Sequence, residues 1–203
     1  MELIPTQEEV IELLRRTGGM RDGHFQYPNG LHVPQYLQVA LTMRDFNVSN
    51  VLGVALSRKL RSNSDIRAML PNLSIVAPAT GGLPVAYGVA EALRTNKVYW
   101  AERENAGAPL RFRQYLELEK GEKVVIVDDI LRTGAKLAEM KALIESAGGV
   151  VVGMAVIVHQ PSPAAQTFGD LPFYTLAKIV TPTSLPKDCE LCKRGVPLEQ
   201  VWL

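Results

Sequence analysis

Hydrophobic positions along this chain switch between a helical and a strand-like spacing, and the order of the switches sets the expected architecture. Thr6 precedes an apolar-periodic stretch at Val10, Ile11, Leu13 and Leu14, and Glu9 stands three residues after the threonine as in a capping box, which predicts a helix over 7–16. Segments 25–27 and 35–39 read as short strands around the turn-forming Pro28-Asn29-Gly30. The pattern then alternates: helix over 48–60, buried strand over 73–77, helix over 83–93, strand over 97–101, strand over 124–127, helix over 137–147 and strand over 150–158. Such alternation implies an α/β fold with a doubly wound, mainly parallel sheet, whose ligands bind outside the carboxyl ends of its strands. A single domain over 1–203 is expected, with residues about 1–45 forming a small N-terminal hood and about 180–203 a tail.

One strand end carries the strongest chemical signal. Four apolar residues, Val124-Val125-Ile126-Val127, run into Asp128 and Asp129, which end the expected strand, and Ile130-Leu131-Arg132-Thr133-Gly134-Ala135-Lys136 leads into the next helix. Backbone N–H groups around Arg132 to Lys136 lie at a helix N-terminus, where free donors and the positive end of the dipole favour a phosphate. Thr133 adds a hydroxyl, and Gly134 allows close backbone approach. Asp128 and Asp129 stand within reach of a ribose and of a divalent cation. A phosphate-binding turn beside two acids makes a ribose 5-phosphate group the expected ligand, and the spacing is neither G-x-x-x-x-G-K-[ST] nor G-x-G-x-x-G. Paired acids that hold a metal alone are the alternative.

Two further segments invite anions. Pro78-Ala79-Thr80-Gly81-Gly82-Leu83-Pro84 links a strand to a helix, and its glycines let N–H groups converge. A plain turn is the alternative there. Between 103 and 113, small residues Asn105-Ala106-Gly107-Ala108-Pro109 are flanked by Arg103, Arg111 and Arg113. That segment reads either as a cationic lid closing over a diphosphate or as a solvated β-hairpin with surface arginines.

The segment 124–136 resembles the 5-phosphoribosyl 1-diphosphate (PRPP) motif of type I phosphoribosyltransferases. Gly23-His24-Phe25, Asn29-Gly30-Leu31-His32, the loop 77–82, Ala101-Glu102-Arg103-Glu104 and Cys189-Glu190-Leu191-Cys192 follow in the order of the orotate phosphoribosyltransferases and cover nearly the whole chain. The resemblance implies a Mg2+-dependent transferase of pyrimidine biosynthesis, joining orotate to PRPP to give orotidine 5′-monophosphate and pyrophosphate. Thr80, Gly81 and Gly82 would lie against the pyrophosphate, residues 130–136 would hold the 5-phosphate, and Asp128 and Asp129 the ribose hydroxyls and Mg2+. Arg103 and Arg111 would act on the leaving group, with Tyr36, His32 and Thr133 near the base. A homodimer is implied as well. Two activities stay open beside it: transfer to another base, and PRPP sensing without turnover.

Against the family pattern, Pro28 stands where a lysine commonly holds the orotate carboxylate, so His32 or Arg21 would have to substitute. The lid has arginines in place of lysines and histidine, and Lys136 replaces a hydroxyl residue beside the 5-phosphate. Lysine there would touch the phosphate or swing to solvent.

Composition narrows partners and compartment. A net charge of +1 gives no reason to expect nucleic acid, and no run approaches the roughly 18 apolar residues of a membrane span. With no targeting signal and two cysteines three positions apart, a reduced cytoplasm is expected. Cys189-x-x-Cys192 is half of a zinc motif, but His159 is the only histidine in the C-terminal half. A turn with two packed thiols is therefore expected, with a metal shared across a dimer as the alternative.

Overall fold

The computed structural model describes residues 4–113, 115–162 and 165–201. In chain order the elements are α1 (Gln7–Arg16), β1 (Met20–Gln26), β2 (His32–Leu37), α2 (Val39–Met43), α3 (Phe46–Arg61), α4 (Ser64–Met69), β3 (Leu73–Pro78), α5 (Gly82–Leu93), β4 (Val98–Glu102), β5 (Arg111–Phe112), β6 (Lys123–Leu131), α6 (Ala135–Ser146), β7 (Val150–His159), β8 (Phe173–Lys178), α7 (Glu190–Lys193) and β9 (Glu199–Gln200). The capping box at Thr6 forms, with the Glu9 amide donating to Thr6 Oγ1 and the Thr6 amide to Glu9 Oε2.

Six strands make the main sheet in the order β5-β4-β3-β6-β7-β8, parallel throughout except for the antiparallel edge pair β4–β5. Its apolar strands feed two cores. On β6, Val125 and Val127 join the cluster that includes Leu52 and Leu56 of α3 and Val85 and Val89 of α5, whereas Val124 and Ile126 join Leu137, Met140 and Ile144 of α6. A strand buried on both faces needs no polar alternation, which is why 124–127 reads as a continuous apolar run.

The crossover β3-α5-β4 leads one way from the middle of the sheet and β6-α6-β7 the other, while β3 and β6 are direct neighbours. Their carboxyl ends therefore form a topological switch point, with a crevice between the diverging loops. The candidate site lies there.

A second sheet, β2-β1-β9, forms the hood, and its third strand comes from the tail: Phe25 and Gln26 pair with Glu199 and Gln200. Its own core is small, with Phe25, Val33 and Val201 buried and Tyr27 and Tyr36 packed against them. The tail is pinned once more where the His32 and Ser184 backbones exchange hydrogen bonds of 2.9 and 3.0 Å.

Several boundaries differ from the sequence expectation. Val39 begins a helix instead of ending a strand, and β8 was not expected at all. The acids do not end β6 either: the strand runs on to Leu131 because β7 continues beside it, pairing Asp128 with Val156 and Ile130 with Val158. Backbone pairing is indifferent to the polarity of the side chains it carries.

Candidate active site

At the switch point the loops after β3 and β6 face one another across the acid pair. Asp128 is fully buried and Asp129 is 7% exposed. Both carboxylates are held locally, Asp128 Oδ1 accepting the Asp129 amide and Asp129 Oδ1 the Ile130 amide, each at 2.9 Å. Gly81 lies so close that a Cβ there would stand 2.9 Å from Asp129 Oδ2, and one on Gly82 would stand 3.1 Å from Asp128 Oδ1. Any larger residue at 81 would displace the carboxylate, so two loops that the sequence only suggested as anion sites form one crevice. The Ala79–Thr80 peptide at its edge is cis.

Burial pushes the Asp128 carboxyl up to about 7, Lys136 draws it down and Asp129 pushes it up again. Lys136 Nζ sits 2.9 Å from Asp128 Oδ2 in ion-pair range, yet that oxygen receives no aligned hydrogen bond. The sequence offered the phosphate or solvent as the destination of Lys136; in the structure its side chain turns onto the buried acid instead.

The turn 132–134 is the segment the sequence marks as a phosphate cradle. Gly134 has φ of 79° and caps α6 in the left-handed region, and a Cβ there would meet Phe168 at 3.1 Å. Thr133 is exposed, and its carbonyl accepts the Gln166 amide at 2.8 Å. Arg132 turns out to be structural at its tip. Its Nε donates to Gln160 Oε1 at 2.8 Å and its Nη2 to the Leu37 carbonyl at 2.7 Å, joining the PRPP-like loop to β2 of the hood. Gln160 is buried and donates onward to Thr181 Oγ1 at 2.9 Å. Nothing in the sequence around Gln160 marked it; only the end of β7 beside the end of β6 brings it in.

Tyr36 lies on the hood beside this bridge. Its hydroxyl donates to Gln38 Oε1 at 2.8 Å and its ring tilts against Phe25. Burial raises its pKa against the pull of the Arg132 and Arg21 guanidinium groups. His32 keeps other company: its ring packs edge-on against His24, with Nδ1 3.3 Å from Cys192 Sγ. Arg21 makes a two-pronged ion pair with Glu199 of β9 at 2.8 and 3.0 Å. Neither expected substitute for the missing lysine is therefore a free cation awaiting a carboxylate.

Residues 103–110 connect β4 to β5 as a hairpin. Arg103 pairs with Glu139 of α6 and donates to the Ala108 carbonyl, and the Leu110 amide donates to Glu139 Oε1 at 2.6 Å. Arg111 pairs with Glu104 at 3.0 Å and Arg113 with Glu102. All three arginines thus carry carboxylate partners from this chain, and the hairpin form is the one observed.

The comparisons with known proteins fit this geometry. The profile of the phosphoribosyl transferase domain matches residues 57–168, which span both loops and the acid pair. The orotate phosphoribosyltransferase of Carboxydothermus hydrogenoformans is 35% identical over 190 residues, covering 94% of each chain. This chain belongs to the orotate phosphoribosyltransferase family. Its fold is that of type I phosphoribosyltransferases. A solved orotate phosphoribosyltransferase from Aeropyrum pernix superposes with a TM-score of 0.66 at 22% identity, covering 84% of this chain and 93% of that one. An adenine phosphoribosyltransferase from Thermoanaerobacter pseudethanolicus gives 0.58 at 18% identity, covering 71% and 88%. The fold is thus shared by enzymes named for different bases.

Proposed function

We propose that the protein transfers the 5-phosphoribosyl group of PRPP to orotate, releasing orotidine 5′-monophosphate and pyrophosphate. The observation that carries this is the meeting of two glycine-bearing loops over a buried acid pair at the switch point. In the reaction an orotate ring nitrogen forms a bond to the anomeric carbon as the carbon–oxygen bond to diphosphate breaks. The electron pair leaves with pyrophosphate, and the nitrogen's proton passes to solvent. No covalent enzyme intermediate is required, so the protein's task is to position the reactants and offset developing charge.

The 5-phosphate is assigned to the amides of 133–135 at the start of α6, and the diphosphate to the loop 79–82. Asp129 is assigned to the ribose hydroxyls. Mg2+ suits the acid pair, because a buried carboxylate oxygen lacking an aligned hydrogen bond, Asp128 Oδ2, is a ready oxygen ligand for a hard cation. Bound there, the ion would neutralise diphosphate charge. Lys136 is assigned to hold charge balance at Asp128 in its absence. Tyr36 is the hood group assigned to the base. A cytoplasmic homodimer is part of the same reading and is supported by the family resemblance; among the described residues, no helix is long and apolar enough to cross a membrane.

Orotate-dependent consumption of PRPP with Mg2+ tests the reading. Wild-type protein is expected to release pyrophosphate with orotate, and Asp129→Asn to lose at least about a hundredfold in kcat/KM, roughly 2.7 kcal/mol of transition-state stabilisation. Full activity of Asp129→Asn would refute the assignment of the acids. Pro28 at the usual lysine position supports a second reading, transfer to another base, which wins if a panel of bases releases pyrophosphate where orotate does not.

A further inference from the structure

Outside the phosphate crevice, two pairs of side chains more than 150 residues apart in sequence converge between the hood and the tail. His24 comes from β1, His32 from the start of β2, and Cys189 and Cys192 from the start of α7 and its last turn. His24 Nε2 lies 2.9 Å from His32 Nδ1, 3.4 Å from Cys189 Sγ and 3.6 Å from Cys192 Sγ, and Cys192 Sγ lies 3.3 Å from His32 Nδ1. All four donor atoms fall within 4.8 Å of one another. A tetrahedral zinc with Zn–S of about 2.3 Å and Zn–N of about 2.0–2.1 Å sets its ligand atoms roughly 3.3–3.8 Å apart. The contacts of 3.3, 3.4 and 3.6 Å fall in that range, and the two imidazole nitrogens at 2.9 Å have to part by about half an ångström to admit the ion.

Three features separate it from an ordinary buried polar patch. His24, His32 and Cys189 are each 3% exposed, so the centre is shielded from water, while Cys192 closes it at the surface. The other nitrogen of His24, Nδ1, lies 2.8 Å from the Val196 carbonyl, which can accept but not donate. Nδ1 therefore carries the proton and the Nε2 lone pair points into the cluster, the second-sphere arrangement that orients metal-bound imidazoles. Lastly, two imidazoles and two thiols form a donor set suited to Zn2+ and unsuited to Mg2+ or Ca2+.

We propose that His24, His32, Cys189 and Cys192 form a closed Cys2His2 site for a structural zinc ion that staples the C-terminal tail to the N-terminal hood. Four protein ligands leave no open position for substrate, so the ion has a structural role. The need for it is visible in the hood, whose three strands share a core of three buried side chains and whose tail strand pairs over two residues. The metal makes up for that missing core, as in small domains that fold only around a metal. The sequence pointed to packed thiols because the C-terminal half offers the cysteines a single histidine, His159; the second pair of ligands comes from the other end of the same chain. The proposal does not depend on which base the enzyme uses.

The test is metal content and spectroscopy of the purified full-length chain carrying no histidine tag. Mass spectrometric metal analysis after gel filtration should give about one zinc per chain. Both thiols should resist alkylation until a chelator is added. Replacement by Co2+ should give the strong visible bands of a tetrahedral ion together with thiolate-to-metal charge transfer. Cys192→Ser, a change at the surface edge of the cluster, should weaken zinc retention at least tenfold and reduce the charge-transfer band. The proposal is overturned if zinc is far below one per chain and the reduced wild type develops no tetrahedral Co2+ spectrum on titration, or if Cys189 and Cys192 are isolated as a disulfide with no metal.

Discussion

Asp128 concentrates the electrostatics of the site in one side chain. Its carboxyl is raised to about 7, first by burial, so the folded protein holds the proton more tightly than the unfolded chain, whose value is near 3.9. A group raised on folding contributes stability that is full below its unfolded pKa and is lost as pH climbs through its folded pKa. Ligand-free wild type should therefore lose stability between about pH 4 and pH 7 from this residue. Asp128→Asn should remove that slope, and its Tm should exceed that of wild type by a margin that grows from pH 5 to pH 8. The gain should be on the order of 2–4 kcal/mol at the upper end, less the small loss of the partly exposed Lys136 pair. Activity should fall in the same variant. Thermal melts across that pH range decide it: parallel wild-type and mutant curves would mean that Asp128 stays ionised through its pairing with Lys136. That a carboxylate sat here was legible in the sequence. Its burial and its pairing with Lys136 were not, because both depend on α6 returning its first turn over the end of β6.

Among the elements, those that read most clearly in sequence are the ones buried on both faces. β3, β6 and β7 announce themselves as apolar runs, and α5 and α6 follow each of the first two after a glycine turn. β8, β5 and β9 did not read as strands. β8 is only partly buried, through the consecutive Leu176 and Ala177, with no helix among the described residues that link it to β7, and the other two are two residues long and exist through their partners' backbone. The segment 103–113 was open between lid and hairpin, and its pairing with β4 and with Glu139 yields the hairpin. Glu139 is the hinge of that arrangement: hydrogen bonds from Arg103 hold its carboxyl below the usual range despite partial burial. Glu139→Ala should free Arg103 and the Leu110 amide together, costing about 1 kcal/mol overall because the pair is partly exposed. Limited proteolysis should then cut between 105 and 109 several times faster than in wild type. If cleavage is unchanged, the hairpin is held by the β4–β5 pairing alone and Glu139 has no part in it.

For the molecule as a whole, the question is how a hood built from both chain ends communicates with a phosphate site built from the middle. Sequence order alone shows the two as separate regions, since Arg132 sits inside the PRPP-like loop and looks like one more phosphate contact. In the structure its guanidinium spans the join, gripping Gln160 at the end of β7 and the Leu37 carbonyl at the end of β2. The loop backbone is fixed independently, by Gly134 in its left-handed turn and by the Gln166 amide on Thr133. Substituting Arg132 should therefore separate the two halves of the site: the cradle for the 5-phosphate persists while the hood loses its register over it. Lysine keeps the charge but cannot reach both acceptors with a single ammonium, so Arg132→Lys gives up one charge-assisted hydrogen bond, worth roughly 1.5–3 kcal/mol. The expected result is a rise of about tenfold or more in the KM for orotate with a change of less than about threefold in the KM for PRPP. Steady-state kinetics with each substrate varied in turn will show it. Equal rises in both constants would mean that Arg132 serves the phosphate directly and that the hood is held in place by its own contacts.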